Sequence, residues 1–295
     1  MHVFFLFRYV RELLGSLATA EVIHVSTNEA GSLVYHLEED EKNVFKTDIM
    51  AVIGYINPLT KIYDKIKPCV SRTGPLGNRM TKEFHDALQE FGPYHFDEYM
   101  DTLLTRVDGL KSQLERGIDV LDVGCGRGLL LTKIAPMFPK STFTASDNVQ
   151  SLVEHLKTTM CQIPNIRFDF VDICSSSSLP SQQYDWINCL HVIHDVPSPP
   201  EALQNVKKLL KPIGVLTLVD MAPTGSPLKD RGNLGIACYY AISSFFCVAE
   251  SYQREDSHAM GLCWGKQKII ELLGSAGFDV EIIDFKYPLA MFICK

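Results

Sequence analysis

The sequence predicts an α/β domain on a mostly parallel sheet that closes on an antiparallel pair, preceded by a smaller α+β region. Three observations carry this. After residue 117, short apolar runs alternate with stretches of helical periodicity, the pattern of a parallel sheet covered by helices on both faces. One join between run and helix is rich in glycine, Gly124-Cys-Gly-Arg-Gly128. The last two runs, Val280–Phe285 and Leu289–Cys294, are linked by Lys-Tyr-Pro alone, too short for a crossover, so they pair antiparallel.

The elements follow in order. Arg8–Ala20 has helical spacing through Val10, Leu13, Leu14 and Leu17. Val22–Val25 and Leu33–His36 are short strands around the turn-rich Thr27-Asn-Glu-Ala-Gly31. Met80–Phe91 and Phe96–Arg116 are helices bridging to the sheet. Strands are expected at Ile118–Asp122, Ser141–Ser146, Ile166–Val171, Trp186–Leu190 and Gly214–Val219. Helices between them cover Leu129–Met137, Val149–Met160 and Pro199–Leu210, the last with Ser198 as N-cap and prolines in its first turn. Lys266–Ala276 is a further helix, ended by Gly277. The expected division is a module over 1–79, bridging helices over 80–117, and a main domain over 118–295 with a lid insertion at 221–265.

Composition narrows the function. With 295 residues, 46% hydrophobic and 21% charged, the chain is globular. A net charge of −7 argues against a nucleic-acid surface, and the module over 1–79 balances its bases with acids. The nine cysteines form no C-x-x-C pair or Cys/His cluster, which indicates reduced thiols in a cytoplasmic protein and no metal site. Arg8 interrupts the apolar start Met1–Phe7 too early for a signal peptide. Gly235–Val248 is too short to span a bilayer and reads as a buried helix.

The glycine loop begins at a strand that ends in an acid, Asp122, and opens a helix. Glycine at 124, 126 and 128 permits a tight turn and close approach of a ligand to the backbone. A dinucleotide loop would read G-x-G-x-x-G, but residue 129 is Leu. An acid beside the loop repels a pyrophosphate and suits a ligand with a cationic end. Asp147, 19 residues beyond Gly128, follows the second strand, where a carboxylate can accept both hydroxyls of a ribose. Asp172 follows the third, within reach of an adenine.

D-V-G-C-G-R-G, with Asp147 and Asp172 at these strand ends, resembles the class I S-adenosylmethionine-dependent methyltransferases over residues 118–295. The resemblance implies a Rossmann-like seven-stranded sheet and S-adenosyl-L-methionine as cofactor. It places Asp122, Gly124, Cys125, Gly126 and Gly128 by the methionine part, and Asp147 and Asn148 by the ribose. Asp172 and Ile173 then lie by the adenine, with Leu190 also lining the crevice. The helix and hairpin upstream resemble the winged-helix module that precedes this domain in small-molecule O-methyltransferases, where it dimerises and closes the substrate pocket. A homodimer through that module is therefore expected.

Asn188-Cys-Leu-His-Val-Ile-His-Asp-Val-Pro, after the fourth strand, resembles the His-Asp segment of the same O-methyltransferases. By that resemblance His194 is the general base and Asp195 its neighbour, acting on a small-molecule acceptor. A neutral imidazole near pH 7 suits the task. His191 is expected to be structural. Tyr239, Tyr240, Phe245, Phe246 and Trp264 are candidate lining for an apolar acceptor, and His258 and Cys263 stand in the same segment.

Overall fold

The structure, a computed structural model, describes residues 14, 18, 23–38, 60–71, 74–77, 96–285 and 288–295. The chain forms two compact units, Met1–Ile53 and Gly54–Lys295. The helices expected at Arg8–Ala20 (but for Leu14 and Ala18) and at Met80–Phe91 lie outside the described residues, as do Lys286 and Tyr287 of the terminal turn.

In the first unit β1 (His24–Thr27) pairs antiparallel with β2 (Leu33–His36). Asn28 Oδ1 accepts the N–H groups of Ala30 and Ser32 at 3.1 and 2.9 Å, closing the turn. Because the ladder runs up to that turn, β1 starts two residues later than Val22–Val25.

The second unit carries a seven-stranded sheet of order β5-β4-β3-β6-β7-β9-β8. Its strands are β3 (Asp119–Val123), β4 (Thr142–Asp147), β5 (Ile166–Phe170), β6 (Tyr184–Leu190), β7 (Leu210–Met221), β8 (Val280–Asp284) and β9 (Leu289–Cys294). Neighbours from β5 to β7 are parallel. β9 runs antiparallel to both β7 and β8. The order reverses between β3 and β6, so the crevice at their carboxyl ends is the topological switch point where such sheets take ligands.

The helices are α1 (Phe96–Arg106), α2 (Leu110–Arg116), α3 (Leu129–Met137), α4 (Gln150–Thr159), α5 (Pro199–Leu209), α6 (Leu234–Phe245), α7 (Cys247–Ser251) and α8 (Lys266–Ser275). One core gathers Leu103 of α1, Leu114 of α2, Ile134 of α3 and Leu156 of α4 with Phe143 and Trp186 of the sheet. A second gathers Leu203 and Val206 of α5 and Ile269 and Leu273 of α8 with Ile187 and Phe292. Each fully buried leucine or isoleucine contributes about 1.5–3 kcal/mol.

Three expectations need correction. Phe96–Arg116 is two helices, because Gly109 adopts φ +69 and breaks the ladder between them. Ser198 holds the N-cap position of α5, but its side chain makes no capping bond there, and prolines fill the first turn. Gly235–Val248 is not one buried helix. It breaks at Phe246 (φ −120, ψ −76) into α6 and α7, and Gly235, Ala237 and Ala241 face solvent. A helix 60–66 packs Ile62 and Ile66 against Phe246, Cys247 and Ala249. Among the described residues no helix is long and apolar enough to cross a membrane.

Candidate active site

The glycine loop sits at the switch point. Gly124, Gly126 and Gly128 have φ of +60, +54 and +72, a region that side chains with a Cβ rarely adopt. Cys125 N–H donates to Ser146 O at 2.9 Å, tying the loop to β4. A Cβ on Gly124 would stand 2.7 Å from Val192 Cγ2, so the loop presses directly on the segment after β6. A Cβ on Gly126 would meet nothing within 4 Å. The backbone there borders open space.

Two buried acids face this loop. Asp147 accepts Gly126 N–H at 3.1 Å on Oδ2 and Val149 N–H at 2.9 Å on Oδ1. Each carboxylate oxygen can accept a second bond. Asp122 Oδ1 accepts from Asn188 Nδ2 at 2.7 Å. Burial, opposed by that bond and helped by the Asp147 charge, pushes its carboxyl up to about 7.

Asn188 was not among the predicted site residues. Its Oδ1 accepts from Tyr99 Oη at 2.7 Å and Thr217 Oγ1 at 3.1 Å, and Trp186 Nε1 donates to Thr217 Oγ1 at 2.9 Å. This network fixes the amide so that its N–H points at Asp122. The signal in the sequence was an asparagine inside an otherwise apolar strand, where a buried amide must find partners.

The remaining predicted cofactor residues divide. Asn148 and Leu190 are half-buried at the carboxyl ends of β4 and β6. Asp172 is half-buried, and its Oδ1 accepts Cys174 N–H at 2.9 Å, capping its own turn. Ile173 is packed into the core, and its carbonyl accepts from Asn205 Nδ2 at 2.9 Å.

The second cluster lies on the turn Ile193–Asp195. His194 is 2% exposed, and its Nδ1 lies 2.7 and 2.8 Å from the two carboxylate oxygens of Asp220, at the end of β7. Asp195 Oδ1 lies 3.3 Å from His194 Nε2 and accepts no hydrogen bond. His191, held at φ +54, places Nδ1 3.7 Å from Asp220 Oδ1. Burial opposes a charge on His194, but Asp195 and then Asp220 outweigh it and raise the imidazole to about 9. The expectation of a neutral ring at pH 7 is therefore corrected, because two carboxylates flank the ring. Burial pushes the Asp195 carboxyl up to about 6 against the pull of His194. Burial also opposes the charge of Asp220, but the two histidines hold its carboxyl below the usual range. Asp220 was missed by sequence reading, although an acid directly after the expected strand Gly214–Val219 was its visible sign.

Of the aromatic residues expected in the lid, Phe246 and Trp264 are buried, and Tyr239, Tyr240 and Phe245 are half-buried. Neither His258 nor Cys263 belongs to a group of three or more possible metal ligands among the described residues; those groups are His191, His194 and Asp220, and His194, Asp195 and Cys247.

A seven-stranded sheet of this order, with an acid-flanked glycine turn at its switch point, is the Rossmann-like fold of class I S-adenosylmethionine-dependent methyltransferases. A family model described as a methyltransferase domain matches residues 88–281, and the chain belongs to that family. The ubiquinone biosynthesis O-methyltransferase of Coxiella burnetii (strain Dugway 5J108-111) is 34% identical over 102 residues, which are 34% of this chain and 42% of that protein. The chain thus matches less than half of that relative's length. A putative O-methyltransferase from Nostoc punctiforme shares the fold with a TM-score of 0.64 at 14% identity, over 97% of this chain and 84% of that one. Human N-acetylserotonin methyltransferase, solved in complex with SAM, does so with a TM-score of 0.60 at 16% identity, over 98% of this chain and 83% of that one.

The donor set fits the cofactor of that class. Asp147 presents a carboxylate of the kind that accepts ribose hydroxyls, Asp122 offers an anion to a cationic end, and the space over Gly126 has no Cβ to fill it. Asp122 also makes the loop a poor seat for a pyrophosphate.

Proposed function

We propose that the chain transfers the methyl group of S-adenosyl-L-methionine to an oxygen of a small-molecule acceptor, with His194 as the proton acceptor. Asp122, Asp147 and the loop Gly124–Gly128 hold the cofactor, with Asn148, Asp172, Ile173 and Leu190 around its nucleoside. The observation that supports this most is the contact between Gly124 and Val192, two residues before His194. On this reading the glycine loop that holds the cofactor and the cluster that accepts the proton stand wall to wall.

The cofactor supplies a sulfonium methyl carbon open to in-line displacement. A hydroxyl acceptor must shed its proton as it attacks, and a positioned base is worth roughly 10²–10⁴-fold. Asp220 holds the Nδ1–H of His194, which leaves Nε2 as the accepting nitrogen. Asp195, 19% exposed, shares that face and passes the proton on towards solvent. An imidazole raised to about 9 is matched to a hydroxyl of phenol-like acidity. The half-buried Tyr239, Tyr240 and Phe245 suit an apolar ring.

The same reading places the protein in the cytoplasm, in keeping with nine free cysteines, and makes its partners a small molecule and a second copy of the chain rather than nucleic acid. The test is a transfer assay with radiolabelled S-adenosylmethionine and a panel of phenols, aliphatic alcohols and amines. Label is expected in a phenol, and lost in His194→Ala. Label appearing only in amines, or persisting in His194→Ala, contradicts the assignment.

A further inference from the structure

We propose that Cys247 is a positioning residue for this site: from α7, its thiol holds the Asp195 carboxylate against the Nε2 face of His194. The inference rests on the reading of His194 and Asp195 as the proton-accepting pair, and it adds the part played by the lid. Cys247 is 2% exposed. Its sulfur, a carboxylate oxygen of Asp195 and a ring nitrogen of His194 lie within 4.8 Å of one another. No metal-binding role is needed to explain the grouping, because His194 already has its ion pair with Asp220.

The placement of α7 is enforced from its outer side. Ile62 and Ile66 of the 60–66 helix pack on Phe246, Cys247 and Ala249. A Cβ on Gly77 would collide with the carbonyl oxygens of Ala249 and Tyr252 at 2.2 and 2.4 Å, so the 74–77 segment lies directly on the end of α7. The helix is therefore clamped between that packing and the His194 turn. Sequence order does not reveal this, since 52 positions separate Cys247 from Asp195.

The charges around the pair come from four elements. Asp195 and His194 share one turn, Asp220 faces them from β7, His191 from the end of β6, and Cys247 from α7. Among these, Cys247 brings a thiol within 4.8 Å of an Asp195 carboxylate oxygen and a His194 ring nitrogen. Its thiol favours the ionised carboxylate and is itself pushed up in pKa, by burial first and then by the Asp195 charge. Without the thiol, Asp195 holds its proton more firmly, and His194 loses part of the anion that keeps it charged.

The experiment is an NMR titration of the His194 ring and the Asp195 carboxyl in the full chain, for the wild type, Cys247→Ser, Cys247→Ala and Cys247→Val. It requires no acceptor, so its result is separate from whether His194 proves to be the base. In the folded variants without a donor, Ala and Val, the Asp195 midpoint should rise by about one unit and that of His194 should fall. Cys247→Ser should restore both. Unchanged midpoints in a folded variant without a donor would overturn the proposal, as would a serine variant shifted as far as the alanine one. Two variants without a donor are used because one of them alone could fail to fold.

Discussion

His194 Nδ1 lies 2.7 Å from one oxygen of Asp220 and 2.8 Å from the other, and neither side chain is more than 2% exposed. The pair is thus an ion pair removed from water, and breaking one side of such a pair leaves an uncompensated charge. Asp220→Asn should lower the His194 pKa well below about 9, since burial then faces only the Asp195 charge. The pH dependence of methyl transfer is the check. In the wild type the rate should climb about tenfold per unit until pH 9, and in the variant the rise should end at lower pH.

Stability should follow the same ionisation. The folded pKa of His194 lies above its ordinary value of 6.5. Its contribution to folding is therefore complete below pH 6.5 and is lost as pH rises towards 9. The thermal midpoint of the wild type should fall across that window, and that of His194→Gln should fall less. Equal slopes would show that the ring is not held charged.

Asp122, at about 7, is partly protonated at neutral pH because burial disfavours its charge. A cationic ligand end beside it should expel that proton. Calorimetric titration with S-adenosylmethionine at pH 6.5 should give enthalpies that vary with the ionisation heat of the buffer. In Asp122→Asn this variation should disappear. No buffer dependence in the wild type would place the cationic end elsewhere.

Gly126 has room for a side chain but not the backbone for one. Gly126→Val should lose cofactor binding, because the valine enters the space above the loop, while the cost of φ +54 is about 1–2 kcal/mol. Asp147→Ala should weaken binding of S-adenosylhomocysteine by roughly tenfold to a hundredfold, the worth of charge-assisted hydrogen bonds. Calorimetry reads both, and circular dichroism should show a retained fold.

The sheet was legible because its central strands β3, β6 and β7 carry buried, mostly apolar runs that stand out without long-range information, whereas edge strand β5 alternates apolar residues with Arg167 and Asp169. The antiparallel close was legible from its short link. Asp122, Asp147 and the glycines were legible because a strand, a tight turn and a helix follow each other locally. Asp220 and Cys247 were not, because their meaning arises only when β7 and α7 are brought to the His194 turn, 26 and 53 positions away. The charge on His194 was legible only by half, since one of its two carboxylates, Asp195, is its sequence neighbour and the other, Asp220, arrives with β7.

Every role assigned to these residues requires the crevice beside Asp122 and Gly124–Gly128 to be an adenosyl sulfonium site. Isothermal titration of the folded chain with S-adenosylmethionine, and separately with NADH, tests this directly. Saturable one-to-one binding of the first and none of the second is the predicted result. A folded chain that takes up no S-adenosylmethionine at millimolar concentration would contradict it.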